Sequence, residues 1–258
     1  MENNSTWTPS PPSPTNWAPD AFPAGRSLLF AIGAVFFSLA PGVAYAVFGV
    51  LAGRINPHNP AAIAGIDLIY AQLFTYAVLL PYLLYFLPRV AQRSLGELGV
   101  RAPGAREVGI GLIGVVAMFV AVNGMSAGIS ALTHIHDTEA AVALLAQMKT
   151  PFEKLLFVAV AAILAPIIEE LAFRAFLFNA FSRYMSISAA ALSSAILFGL
   201  VHASSAQQLL TVSVPLCFGG LVLAAVYRIS RCYWSNVISH AIFNSISLVA
   251  VFVFHVKP

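Results

Sequence analysis

Hydrophobic residues in this chain run in long unbroken stretches, and the polar positions that interrupt them are few enough to count. A helix needs about 20 apolar residues to cross the hydrocarbon core of a bilayer. Seven stretches qualify, at roughly 27–51, 61–87, 107–133, 152–181, 186–203, 206–227 and 233–255. The pattern predicts an all-α fold, a polytopic bundle of about seven (six to eight) transmembrane helices. Before it lie residues 1–25, where Pro9, Pro11, Pro12, Pro14, Pro19 and Pro23 punctuate a stretch poor in apolar side chains. Such a segment cannot bury enough surface to fold and reads as a flexible tail. No fixed-period repeat and no second domain are visible, so residues 26–258 read as a single transmembrane domain.

Composition agrees with that reading. Of 258 residues, 59% are hydrophobic and 9% are charged, against about 25% charged in a soluble domain. Mean hydropathy is +0.85. The net charge of +3 is carried by basic residues placed mostly between the apolar stretches and does not suggest a nucleic-acid partner. Arg26, Arg89, Arg93, Arg101, Arg106, Arg183, Arg228 and Arg231 fall on one side of the predicted membrane, and Arg54, Lys149, Lys154 and Lys257 on the other. Eight against four predicts a cytoplasmic N-terminus, in a multi-pass protein of the cell membrane. The opening residues lack the basic stretch and apolar core of a cleavable signal, so the first membrane segment is expected to serve as the insertion signal. Residues 134–151, led by His134, His136, Asp137 and Glu139, are read as a short helix at the opposite surface. Cys217 and Cys232 form no CxxC pair and no zinc-type cluster, and a structural disulfide is not expected.

Against this background three polar clusters stand out. The fourth segment holds Glu169, Glu170 and Arg174, although an ionised residue at the centre of a membrane helix costs at least about 2.5–3.5 kcal/mol on insertion scales. Glu170 and Arg174 are four apart and share a helix face, where pairing reduces that cost. Glu169 lies about 100° around the helix and addresses a different neighbour. Pro166 removes a backbone hydrogen bond just before the acids and can open the helix there. Phe198 and His202 are four apart near the end of the fifth segment, the aromatic walling the site while the imidazole faces in. His240 and Asn244 are four apart on the seventh, a helix kept polar by Ser235, Asn236, Ser239 and Ser245.

A carboxylate, two imidazoles and an amide drawn from three helices match the contents of a site that activates water. Glu169 would take the proton of the attacking water. A histidine with Asn244 would donate to the developing oxyanion. Each cluster also has a plainer interpretation. Glu170 with Arg174 can be a buried pair that fixes packing. A lone membrane histidine can be a strut between helices. His58, His134, His136 and His255 lie at segment ends or in loops and read as solvated. The glycines of GLIGVVA and FGG read as close helix contacts. One difficulty is geometric: at about 1.5 Å per residue, Glu169 lies about 18 Å deep, His240 about 11 Å and His202 about 24 Å. A tilted or late-starting fifth helix would bring them level.

The ordered set Glu169-Glu170-Leu-Ala-Phe-Arg174, Phe198-Gly-Leu-Val-His202 and His240-Ala-Ile-Phe-Asn244 resembles the EExxxR, FxxxH and HxxxN motifs of the CAAX prenyl protease and bacteriocin-processing family of intramembrane endopeptidases. The likeness covers residues 169–244; the remaining membrane region shows compatible hydropathy. It implies a membrane-embedded endopeptidase in which Glu169 activates water, Glu170 and Arg174 support it, and His202, His240 and Asn244 complete the site. The implied partner is a peptide or protein substrate at the bilayer. In the eukaryotic branch that substrate is a prenylated CAAX protein; bacterial relatives are linked to peptide maturation, bacteriocin self-immunity or surface-protein functions. His202, His240 and Glu169 would form a two-His-one-Glu set if a divalent metal such as zinc is bound. The family is commonly filed with metallopeptidases, and a metal-free glutamate mechanism is also argued for it. A tightly bound zinc is not the expectation here. The competing readings are a catalytically silent scaffold or bacteriocin-immunity-type protein with the same fold and, less favoured without inverted repeats, a proton-coupled transporter.

Overall fold

The computed structural model describes residues 21–56, 58, 65–135, 144–145, 148–203 and 205–254. Seven helices account for most of them. They are α1 (Ala24–Leu51), α2 (Gly65–Ala91), α3 (Ala105–Thr133), α4 (Pro151–Ser182), α5 (Ile187–Leu200), α6 (Ala206–Ser230) and α7 (Tyr233–Phe254). α1 to α4 and α6 are each long and apolar enough to span a bilayer. α5, at 14 residues, rises only about 21 Å and ends short of a full crossing of about 30 Å.

Local chemistry explains where the helices begin and turn. Thr150 caps α4 by accepting from the Glu153 N–H, while Glu153 reaches back to the Thr150 N–H and Pro151 stands at the first helical position. Ser186 and Ser205 cap α5 and α6, their hydroxyls accepting from the Ala189 and Gln208 N–H groups. Such side-chain oxygens satisfy N–H groups that the helix itself leaves orphaned. Arg231, in the left-handed region at φ 51°, ends α6 and lets α7 start almost at once.

α1 packs chiefly on α2, α5 lies on α6, and α3 lies against α6 and α7. α4 threads between these groups, its Phe173 and Phe176 reaching different core clusters. The outward face of α1 presents Leu28, Leu29, Ile32, Val35, Phe36 and Leu39, all more than half exposed. An apolar stripe that large suits lipid and not water, so the chain is an integral membrane protein. Two predicted close contacts are present: a Cβ at Gly220 would lie 3.0 Å from the Ala195 Cα, and one at Gly111 would lie 2.9 Å from the Ser235 carbonyl oxygen.

Two expectations need adjustment. The packed body starts earlier than residue 26: Ala21 and Phe22 are buried, and the Tyr184 hydroxyl donates to the Phe22 carbonyl at 2.7 Å. Residues 1–20 lie outside the described residues. Of the segment read as a surface helix, residues 136–143, 146 and 147 also lie outside them, yet Leu145 and Met148 are buried in a cluster with Ile69 and Phe157. Apolar residues in that segment turn toward the bundle, which a helix lying flat at the surface would not require.

α4 is not a uniform α-helix. Val160–Leu164 and Leu171–Phe178 are π-helical, and the six α-helical residues Ala165–Glu170 lie between them. Pro166 accounts for the first of these turns. Its ring excludes the α-helical hydrogen bond to the Ala162 carbonyl, and the Ala165 N–H accordingly bonds one residue further back, to Val160. The Ala161 carbonyl then has neither the Ala165 N–H nor, at Pro166, any N–H to take. A partner must come from another helix.

Candidate active site

That partner is Asn244. Its side-chain amide donates to the Ala161 carbonyl at 3.0 Å, which ties α7 to the π-turn of α4 and sets the register between them. One residue of the HxxxN pair thus satisfies the backbone that Pro166 disturbs, and its second amide hydrogen stays available.

One turn away sits a buried polar hub. Glu170 is wholly inaccessible. Its Oε1 accepts from Arg174 Nη1 at 2.8 Å and from His240 Nδ1 at 2.9 Å, and its Oε2 accepts from Asn236 Nδ2 at 3.1 Å. The two basic or amide partners are themselves anchored to α6. Arg174 Nη2 donates to the Gly220 carbonyl at 3.2 Å, and Asn236 Nδ2 to the Leu223 carbonyl at 2.7 Å. Arg174 also lies 4.5 Å from the centre of the Phe198 ring, where the ring face attracts a cation. Inside a membrane such groups must find partners within the protein, and this hub supplies most of them from α4, α6 and α7.

Glu169 is placed differently. It is partly exposed to a cavity of about 550 Å³ whose wall includes Gln72, Thr75, Tyr76, Phe198, His202 and His240. His202 Nε2 and His240 Nε2 stand 3.9 Å and 3.8 Å from Glu169 Oε2. Those separations exceed a hydrogen bond and suit a small bridging group. Glu169 Oε2 is buried and has no hydrogen-bond partner among the described residues.

Both rings are oriented by their other nitrogen. His202 Nδ1 lies 2.6 Å from the Phe198 carbonyl, and His240 Nδ1 faces the Glu170 carboxylate. A carbonyl and a carboxylate only accept, so each ring carries its proton on Nδ1. Each Nε2 is then turned toward Glu169 with a lone pair, or with a second proton when the ring is cationic. Phe198 packs 4.8 Å from the His202 ring and 5.6 Å from the His240 ring, and holds the two apart.

The depths estimated from helix ends do not keep the three residues apart: His202 falls in the turn just past the end of α5, and its Nε2 and that of His240 both come within 4 Å of Glu169. Of the six residues singled out by their spacing, Glu169, His202, His240 and Asn244 line one cavity, and Glu170 with Arg174 lies directly behind it. The sequence reading named Asn236 only as part of a polar stripe; its contact with Glu170, one turn before His240, was not foreseen. Gln72, Thr75 and Tyr76 were missed altogether. Their i, i+3, i+4 spacing on an otherwise apolar helix was the available signal.

Zinc would draw on Glu169, His202 and His240, which are donor types it accepts. Among the described residues, however, no group of three His, Cys, Asp or Glu side chains is arranged to hold a metal ion.

Fold and site together define a polytopic helical membrane protein with an acid–imidazole centre buried between its helices. Residues 151–246 match the family model described as type II CAAX prenyl endopeptidase Rce1-like, so that region carries the domain of this family. Within the curated proteins the chain is similar to YdiL of Bacillus subtilis (strain 168), described as a putative membrane peptidase, with 29% identity over 94 residues. That match covers 36% of this chain and 36% of the relative. No solved structure matches the chain.

Proposed function

We propose that the protein is an intramembrane endopeptidase that hydrolyses a peptide bond with a water activated by Glu169. The observation that carries this reading is the convergence of Glu169 Oε2 with two imidazole Nε2 atoms at 3.8–3.9 Å on the wall of one cavity. The family of residues 151–246 supports a peptidase-type reaction.

In this reading a water held between Glu169 and His202 gives one proton to Glu169 as its oxygen attacks the substrate carbonyl. The oxygen of that carbonyl becomes an oxyanion. It is met by the free amide hydrogen of Asn244, with His240 Nε2 beside it. Collapse breaks the C–N bond, and the proton on Glu169 passes to the leaving amine. Glu170 and Arg174 touch no reacting atom; they hold His240 in place.

The test compares the purified parent with Glu169→Gln on membrane-anchored peptides. Glu169→Gln is expected to fold normally and to lose at least about 100-fold in cleavage rate, the lower end of what a positioned general base contributes. Full activity in that variant overturns the glutamate-base mechanism. A parent that cleaves no peptide, yet binds one in the cavity, points instead to the silent scaffold.

A further inference from the structure

A second recess lies far along the bundle from the acid–imidazole centre, between the start of α1 and the end of α2. It has a volume of about 330 Å³ and is lined by Arg26, Leu29, Phe30, Tyr82, Phe86, Arg89 and Val90. Phe30 and Val90 form a buried floor, while Leu29 and Phe86, 70% and 42% exposed, form a rim that faces the bilayer. The Tyr82 hydroxyl is already committed to the Phe30 carbonyl at 2.9 Å. That leaves two guanidinium groups as the polar end.

Among the described residues neither Arg26 nor Arg89 forms an ion pair, whereas Arg93 is matched by Glu97, and Arg101 and Arg106 by Glu107. Arg89 is nonetheless fixed: its guanidinium carbon lies 3.6 Å above the centre of the Tyr85 ring, and one nitrogen donates to the Tyr85 carbonyl. One bond occupies one of its five donors. Two cations with no acidic partner among the described residues, at a helix-end recess with a lipid-facing apolar rim, call for a ligand that is anionic at one end and hydrocarbon at the other.

We propose that this recess binds an anionic phospholipid, its phosphate between Arg26 and Arg89 and an acyl chain along Leu29 and Phe86. Charge-assisted hydrogen bonds from arginine to phosphate are strong and directional, and basic pockets between membrane helices are suited to anionic headgroups. The site is separate from hydrolysis, but it has a structural consequence. α1 packs chiefly on α2 and supplies Ser38 and Gly42 to the large cavity, so a lipid clasping the two helix ends braces that cavity's wall.

Native mass spectrometry of the full chain, released from detergent doped with phosphatidylglycerol or phosphatidylcholine, tests this directly. The parent is expected to retain phosphatidylglycerol preferentially. R26Q and R89Q each weaken retention by about fivefold and the double variant by about 30-fold, whereas R26K with R89K retains most of it. R228Q serves as the control for general surface charge and should bind as the parent does. Excess inorganic phosphate is included to separate a free-phosphate site from a lipid site. Equal retention of both lipids, unchanged retention in R26Q with R89Q, an equal loss in R228Q, or full displacement by inorganic phosphate each overturns the proposal.

Discussion

Two regions of the bundle bury a carboxylate beside an arginine, and they do so on different terms. Near the start of α2, Asp67 accepts from the Tyr45 hydroxyl and from Arg54, both at 2.8 Å. The Arg54 side chain keeps 57% of its surface exposed. In the middle of the bundle, Glu170 and Arg174 expose 0% and 1% of their side chains; His240 and Asn236 donate to Glu170, Arg174 donates to the Gly220 carbonyl, and Asn236 is held in turn by the Leu223 carbonyl. At the bundle end an arginine keeps its solvation and the pair needs little else. At the centre, removing the solvent makes every missing donor expensive, so the pair survives only inside a network built from three helices. The central network therefore reads as architecture. Glu169, next in sequence, lies outside that network and faces the cavity.

Substitutions can break or sharpen this contrast. The largest effect is expected for Arg174→Ala, which strands the buried Glu170 charge; loss of one partner of a buried pair costs about 3–5 kcal/mol. Unfolding by denaturing detergent, followed by circular dichroism, would measure it. Asn244→Ala comes next, because the Ala161 carbonyl freed by Pro166 then has no donor, a penalty of about 1–3 kcal/mol. A useful cross-check is the pair Asn244→Ala with Pro166→Ala: if the proline creates the need for the amide, the double variant should recover part of the loss. Asp67→Asn should cost least, about 1 kcal/mol or below, since its arginine stays largely solvated. If Asp67→Asn matches Arg174→Ala in the same assay, depth in the bundle does not set the cost and the comparison fails.

Much of the architecture was readable before any coordinates. The hydropathy of 107–133 and 186–203 placed α3 and α5 within about three residues, because a bilayer rewards continuous apolar length whatever the neighbours are. The Glu170–Arg174 pair was readable too, since four-residue spacing puts both side chains on one face of a single helix. The π-turns of α4 were readable only as a hint in Pro166. Their position depends on where the displaced carbonyl finds a donor, and Asn244 lies 83 residues from Ala161 in the chain. The polar residues of α2 went unnoticed because nothing in a local pattern says which face of an apolar helix borders a cavity.

By itself, the sequence determined that this chain lives in a membrane as a helical bundle, and which few side chains hydrocarbon would not tolerate unpaired. Both follow from transfer free energies, which act on each segment separately. Only the tertiary structure decided the division of labour between neighbouring glutamates. Glu170 was drawn into a closed network with Arg174, His240 and Asn236, while Glu169 turned to the cavity beside two Nε2 atoms. Hydrogen-bond satisfaction in a waterless interior is a property of all the helices together, and no single segment can specify it.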